Sequence, residues 1–254
     1  MIEIFILSSI QGVTEFLPIS SSSHLILISN FINFQMQSLV IDVSLHIGSL
    51  IAVVTYFYKD VLEFFKNRQL FFKILISSVP VMIVGFFLVK TNLIEKIRSI
   101  EIIGWTTLIF GILLYISDKF KLEKNLSLDF NYKVALIIGL FQILSLIPGV
   151  SRSGITITAG RFLGFKRFDA SKISFLLSVP TLGAVSVYGL SALMTENNFD
   201  VLSLNYLSIF FFFYFFLFYY QIFSQVYKKI QYEFICFLSV SSWLHIAFNY
   251  LFIK

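Results

Sequence analysis

Two short polar runs interrupt otherwise apolar sequence: EFLPISSSSH at 15–24 and LIPGVSRSGIT at 146–156. The second holds Arg152. A guanidinium near a bilayer centre costs roughly 2.5–3.5 kcal/mol even on lenient insertion scales, so an arginine there marks a functional site, and its natural partner is an anion. The first run adds a carboxylate, Glu15, and an imidazole, His24. Gln11 and Glu15 are four apart and share one helix face. Their side-chain oxygens can hold a hard cation such as Mg²⁺ or Ca²⁺, with water and phosphate oxygens completing the shell. Equally, Glu15 can pair with Arg152 and merely staple the two runs together.

Ser20, Ser21, Ser22 and Ser23 directly precede an apolar helix at 24–34, and Ser151 and Ser153 stand before one beginning near 155. Serines at such places cap helices. Two helix N-termini also offer backbone N–H groups and positive dipole ends to an anion. Arg152 adds a planar fork suited to bidentate phosphate binding, and Gly149 and Gly154 let the backbone come close to a phosphate. His24 is placed to donate a proton to a leaving phosphate or to activate a hydroxyl. Ser21, three residues before it, is the expected nucleophile toward a terminal phosphorus, with His24 or Glu15 assisting. His46 and His245 read as structural histidines, Asp42 as a cap or interface residue, and Arg161 as either a cavity or a locally paired arginine. The chain has no Walker, Rossmann or zinc motif.

The elements that must position these groups belong to a membrane. The chain of 254 residues is 57% hydrophobic and 13% charged, against about 25% charged in a soluble domain. The net charge of +5 sits in short loops and is no nucleic-acid signal. Residues 2–16 lack the basic flank and cleavage site of a signal peptide, so the N-terminus is expected to be retained. The single Cys236 rules out an intramolecular disulfide. Six stretches suit a bilayer span of about 20 apolar residues: 39–58, 71–89, 100–117, 173–194, 204–223 and 234–253. The shorter stretches 2–16, 24–34, 134–147 and 155–164 flank the polar runs, and Pro18 and Pro148 end the helices before them. The expected fold is therefore an all-α polytopic membrane protein with six transmembrane helices plus two re-entrant helical hairpins.

A shift of 130 places Pro18 on Pro148 and Ser21 on Ser151, and brings the first three spans near the last three. Each half is one hairpin plus three crossings, an odd number, so the halves form an inverted repeat whose broken helices meet near the midplane. The boundaries are 1–118 for the first repeat, 119–131 for the linker and 132–254 for the second, all within one membrane domain. Loops at 59–73, 119–133, 166–172 and 228–229 carry most of the basic residues; the opposite side has Lys90, Lys96, Arg98 and Lys254. The positive-inside rule makes the first side cytoplasmic and both termini external.

The runs QGVTEFLPISSSSH and PGVSRSGIT, closed by Thr156, resemble the two motifs of the undecaprenyl-diphosphatase family of bacterial inner-membrane enzymes, the bacitracin-resistance proteins. The resemblance extends from the N-terminus to the last helix. It implies hydrolysis of undecaprenyl diphosphate to the monophosphate, which regenerates the lipid carrier for peptidoglycan synthesis. By position it assigns Gln11 and Glu15 to the acidic/amide pair, Ser20, Ser21 and His24 to the first turn, and Ser151, Arg152 and Ser153 to the second. Gln11 stands where many members have Glu, which leaves one carboxylate fewer for a metal. Ser22 and Ser23 fill places where Thr-Gly often precedes the histidine. The expected site is thus catalytic at Glu15, Ser21, His24 and Arg152. Substrate binding falls to Ser20, Ser22, Gly149, Ser151, Ser153, Gly154 and Thr156, and a divalent cation to Gln11 and Glu15. The partners are a polyprenyl diphosphate and membrane lipids, with no nucleic acid. Oligomeric state, a homodimer included, stays open. A transporter or flippase for an anionic polyprenyl lipid is the competing reading, suggested by the inverted repeat alone.

Overall fold

The protein is described by a computed structural model covering residues 2–15, 17–34, 38–56, 58–120, 123–195 and 202–215. Among these residues the chain is helical and forms no strand. The helices are α1 (Ile2–Thr14), α2 (Ser21–Phe31), α3 (Leu39–Tyr56), α4 (Tyr58–Lys66), α5 (Arg68–Lys90), α6 (Leu93–Ile97), α7 (Ile100–Asp118), α8 (Leu126–Asp129), α9 (Tyr132–Gln142), α10 (Arg152–Phe162) and α11 (Arg167–Thr195). A further helix, α12, covers Leu202–Phe215. A single 3₁₀ turn, Ile143–Leu146, continues α9 toward the second polar run.

Among the described residues three helices, α5, α7 and α11, are long and apolar enough to cross a membrane. α1, α3, α9 with its 3₁₀ turn, and α12 are shorter apolar helices. The predicted span 234–253, with Cys236 and His245, lies outside the described residues, as does part of 204–223. Helix starts follow local chemistry: Asn67, Ser99 and Asn131 accept from the amides of Leu70, Ile102 and Val134 at 3.1, 3.2 and 3.0 Å, which satisfies otherwise orphaned donors. Pro80 in α5 and Pro180 in α11 lie inside continuous helices. Membrane helices tolerate this because neighbouring helices re-satisfy the freed backbone groups.

Two apolar clusters flank the polar runs. One joins α5, α9, α10 and α11 through Ile74, Ile138, Ala159 and Leu177; the other joins α1, α2, α3, α11 and α12 through Leu7, Leu25, Leu45, Val179 and Phe212. α11 contributes to both and ties the two halves together. At the α5–α9 crossing Gly139 lies on the Ser77 carbonyl so closely that a Cβ would collide with it, the small-residue approach by which membrane helices pack. Outward faces carry large apolar side chains, among them Phe86, Phe87, Trp105 and Ile109. An exposed apolar surface of this extent calls for lipid.

The two polar runs are the two breaks between short helices: 15–20 between α1 and α2, and 147–151 between the 3₁₀ turn and α10. α2 begins at Ser21 and α10 at Arg152, and each is 11 residues long.

Candidate active site

The first break opens where Pro18 follows α1, and the second where Pro148 follows the 3₁₀ turn. Gly149 takes a left-handed φ of 97°, open to glycine at little cost. Its missing Cβ leaves room for the Thr106 hydroxyl of α7. Thr106 and Thr107 donate to the carbonyls of Pro148 and Gly149 at 2.6 and 3.3 Å, which fixes the second turn against the middle of α7.

The turns touch each other. Ser153 Oγ donates to the Leu17 carbonyl at 2.6 Å, and an Arg152 guanidinium nitrogen donates to Glu15 Oε1 at 2.8 Å. A Cβ on Gly154 would stand 3.3 Å from the Pro18 carbonyl, so the small residue keeps this approach close. Residues 137 apart in sequence thus form one polar centre.

Glu15 is its hub. The residue is 5% exposed, and both carboxylate oxygens are engaged. Oε1 takes the Arg152 donor; Oε2 accepts from Gln11 Nε2 at 2.7 Å and from Ser21 Oγ at 3.0 Å. His46 Nδ1 lies 3.4 Å from the same oxygen and 3.1 Å from Gln11 Nε2. A buried carboxylate is retained only when paired and hydrogen-bonded, and here a guanidinium, an amide, a hydroxyl and an imidazole do so together. A serine hydroxyl donating to a buried carboxylate is the arrangement of a nucleophile beside its base.

The remaining predicted residues surround this hub with different duties. Ser151 caps α10 by accepting from the Gly154 amide at 3.1 Å, and its hydroxyl also lies 3.0 Å from Ser153 Oγ. Thr156 bonds Ser174 of α11 at 2.7 Å and its own helix backbone, which anchors α10 behind the site. Ser20, at the N-cap of α2, makes no side-chain cap bond. Its hydroxyl instead accepts from Ser23 at 2.9 Å and lies 3.3 Å from Ser22. His24 Nδ1 is 2.7 Å from the Ser20 carbonyl. Donation from Nδ1–H there makes Nε2 the acceptor nitrogen of the neutral ring.

One sequence reading changes, and of the two readings of Arg161 the structure shows local pairing. His46, read as structural, is a member of the centre; α3 carries it there. The available signal was a lone imidazole in an otherwise apolar helix, with Asp42 one turn before it. Arg161 is no cavity residue: its guanidinium donates to the carbonyls of Phe165, Asp118 and Phe120 at 3.0, 3.0 and 2.5 Å and holds the end of α10 to the end of α7. Asp42 is an interface residue, bonded to Arg98 at 2.6 Å.

For a divalent cation the donor set is narrow. Among the described residues no three His, Cys, Asp or Glu side chains cluster in a way that would hold one. Gln11 Oε1, however, is buried without a partner, an oxygen available to a cation beside the Glu15 carboxylate. The donors fit a weakly held hard cation whose other ligands are water and phosphate.

The family model of the bacitracin resistance protein BacA matches residues 4–243. The chain is similar to an undecaprenyl-diphosphatase of Pelagibacter ubique (strain HTCC1062), 50% identical over 82% of this chain and 80% of that protein. It is also similar to undecaprenyl-diphosphatases of Jannaschia sp. (strain CCS1), 43% identical over 73% of this chain and 74% of that one, and of Saccharophagus degradans, 42% identical over 76% and 77%.

Proposed function

We propose a reaction on the premise that this chain belongs to the bacitracin resistance protein BacA family. It is a membrane hydrolase that cleaves undecaprenyl diphosphate to undecaprenyl phosphate and inorganic phosphate. The product is the lipid carrier that peptidoglycan synthesis uses again. The observation that carries this reading is the Glu15 centre, where a guanidinium from one turn and a hydroxyl from the other share one buried carboxylate.

The diphosphate binds on Arg152, whose fork moves from Glu15 to phosphate oxygens, with the amides at the start of α2 and the serines of both turns completing the cradle. Losing its cationic partner makes Glu15 a stronger base. Ser21 Oγ then attacks the terminal phosphorus and its proton passes to Glu15 Oε2, 3.0 Å away. The new Ser–O–P bond replaces the anhydride P–O bond, and undecaprenyl phosphate leaves, its oxygen stabilised by Arg152 and taking the proton from Glu15, relayed by His24, whose Nε2 accepts it and passes it on; Glu15 is a carboxylate again. Water, deprotonated by Glu15, next attacks the phosphoserine; inorganic phosphate departs and Ser21 recovers its proton. His46 and Gln11 hold the carboxylate in place throughout. A divalent cation would be held by Gln11 Oε1 and Glu15 and would supply charge neutralisation to the phosphates.

The broader arrangement belongs to the same proposal: six crossings, two re-entrant hairpins, halves 1–118 and 132–254 in inverted orientation, and a site opening to the outer side of the bacterial inner membrane. The matched lengths of α2 and α10 and the meeting of the two turns support it. Phosphate release from undecaprenyl diphosphate by purified protein is the direct test. Release that disappears in Glu15→Gln supports the hydrolase. Binding and transport of the lipid without release would favour a flippase instead.

A further inference from the structure

The Glu15 centre is held from two helices, and an ion pair outside the centre joins them. Arg152 and His46 engage different oxygens of the carboxylate, at 2.8 and 3.4 Å. Arg152 is mounted on α7, because Thr106 and Thr107 donate to the carbonyls of Pro148 and Gly149 in its turn. His46 is mounted on α3, which leans on α11 and α12. A Cβ on Gly189 of α11 would stand 2.3 Å from Val43, and Ser44 donates to Asn205 of α12 at 2.9 Å. α7 packs chiefly on α10, and a side-chain pair links it to α3. Arg98, just before α7, donates to Asp42 Oδ2 at 2.6 Å. Asp42 stands four residues before His46 on one face of α3, about 6 Å away along the axis. It is 3% exposed, and so buried a carboxylate is retained only when paired. No step of the reaction above uses either residue.

We propose that Arg98 and Asp42 are positioning residues for the reaction: their pair fixes the start of α3 to the start of α7 and so sets His46 on the carboxylate that Arg152 shares. The inference rests on the hydrolase reading above and deepens it. The contacts form a closed ring. It runs from Glu15 through His46 and α3 to Asp42, across to Arg98, along α7 to the two threonines, and back through the second turn to Arg152. Cutting it between Asp42 and Arg98 lets α3 shift against α7. His46 Nδ1, 3.4 Å from Glu15 Oε2 and 3.1 Å from Gln11 Nε2, stands near the edge of hydrogen-bonding reach, so a displacement of about 0.5 Å breaks its hold. Arg152 keeps its own mount on α7. The cut therefore weakens the groups that handle protons and leaves the grip on phosphate in place.

The test uses the purified full chain in detergent with undecaprenyl diphosphate. Asp42→Ala leaves the part-exposed Arg98 to water, whereas Arg98→Ala would strand a buried carboxylate and threaten folding. Asp42→Ala should lower kcat roughly tenfold, a share of what losing His46 costs, with KM within about twofold. Asp42→Asn keeps an acceptor for Arg98 and should hold kcat within about threefold of the unmodified chain. On a His46→Ala background, Asp42→Ala should cost less than about a further twofold, because the group it positions is gone. Additive losses, an Asn variant as impaired as the Ala variant, or a change in KM alone overturns the proposal. ¹⁵N NMR of histidine-labelled protein reads His46 without catalysis, its resonance identified by its absence in His46→Ala. A resonance displaced in Asp42→Ala and restored in Asp42→Asn supports the inference. One unmoved in both variants, or displaced equally, overturns it. Displacement and restoration in protein that releases no phosphate keep the positioning and sink the hydrolase.

Discussion

The two turns are built from similar material and do different work. Each follows a proline, each starts an 11-residue helix, and each offers serines at that helix's start. In the second, Ser151 spends its hydroxyl on the Gly154 amide, and Thr106 and Thr107 clamp the backbone to α7. In the first, Ser20 leaves its helix uncapped by a side chain, and the Ser21 hydroxyl turns to Glu15. The second turn is thus a rigid mount that presents one cation. The first leaves its helix-start amides without a side-chain cap and, in the proposed reaction, offers them to the phosphate and carries the groups that move protons. In the proposed reaction this division of labour lets an anion be held by one turn while the other reacts with it.

The sharpest way to break this division is at Ser21. As nucleophile, its change to Ala should cut phosphate release by more than about 10⁴-fold, the scale of losing a covalent nucleophile. A variant that keeps a tenth of its turnover would make Ser21 a hydrogen-bond donor and give the attack to water activated by Glu15. The cationic mount comes next. Arg152→Lys keeps the charge and loses the fork, so activity should fall roughly 10²–10³-fold; near-normal turnover would remove Arg152 from the phosphate.

His46 tests whether the first turn needs a third element. His46→Ala removes a partner of the Glu15 carboxylate, and the loss of one charge-assisted hydrogen bond, about 1.5–3 kcal/mol, corresponds to roughly 10–100-fold in kcat. Unchanged kinetics would return His46 to a packing role. Gln11→Glu replaces the amide whose Oε1 is unpartnered with a second carboxylate. Half-maximal activity should then need less Mg²⁺ or Ca²⁺ in a titration against chelator, while maximal turnover changes by only a few-fold. No shift in the titration would take Gln11 away from any cation. The smallest effect separates the caps: Ser151→Ala should cost about 1 kcal/mol of thermal or denaturant stability, and Ser20→Ala clearly less. Equal losses would erase the contrast between the turns.

Much of this centre was legible locally. Gln11 and Glu15 share a helix face by spacing alone, and Arg152 in apolar surroundings announces an anion partner before any geometry is known. The helices end where proline removes a donor, so the breaks at 15–20 and 147–151 can be read directly. His46 could not be found this way. It comes from α3, and an isolated imidazole in an apolar helix carries no mark of what it will face. Arg161 left two readings open, a shared cavity or local pairing, and the carbonyls at the end of α7 and after α10 that absorb its donors decide for the second.

The sequence by itself determined that this chain is helical and apolar enough for lipid, that two prolines mark its polar breaks, and that those breaks hold a carboxylate, a guanidinium and several hydroxyls, the reagents of the proposed reaction. Those follow from hydropathy, helix period and the cost of burying charge, all of which act over a few residues. Only the tertiary structure decided which partners the reagents take. It paired Arg152 with Glu15 across 137 positions, brought His46 to the same carboxylate, and made Ser151 a cap while Ser20 is not. Packing between distant helices sets those contacts, and a hydroxyl or carboxylate bonds whichever neighbour the fold brings within 3 Å or so.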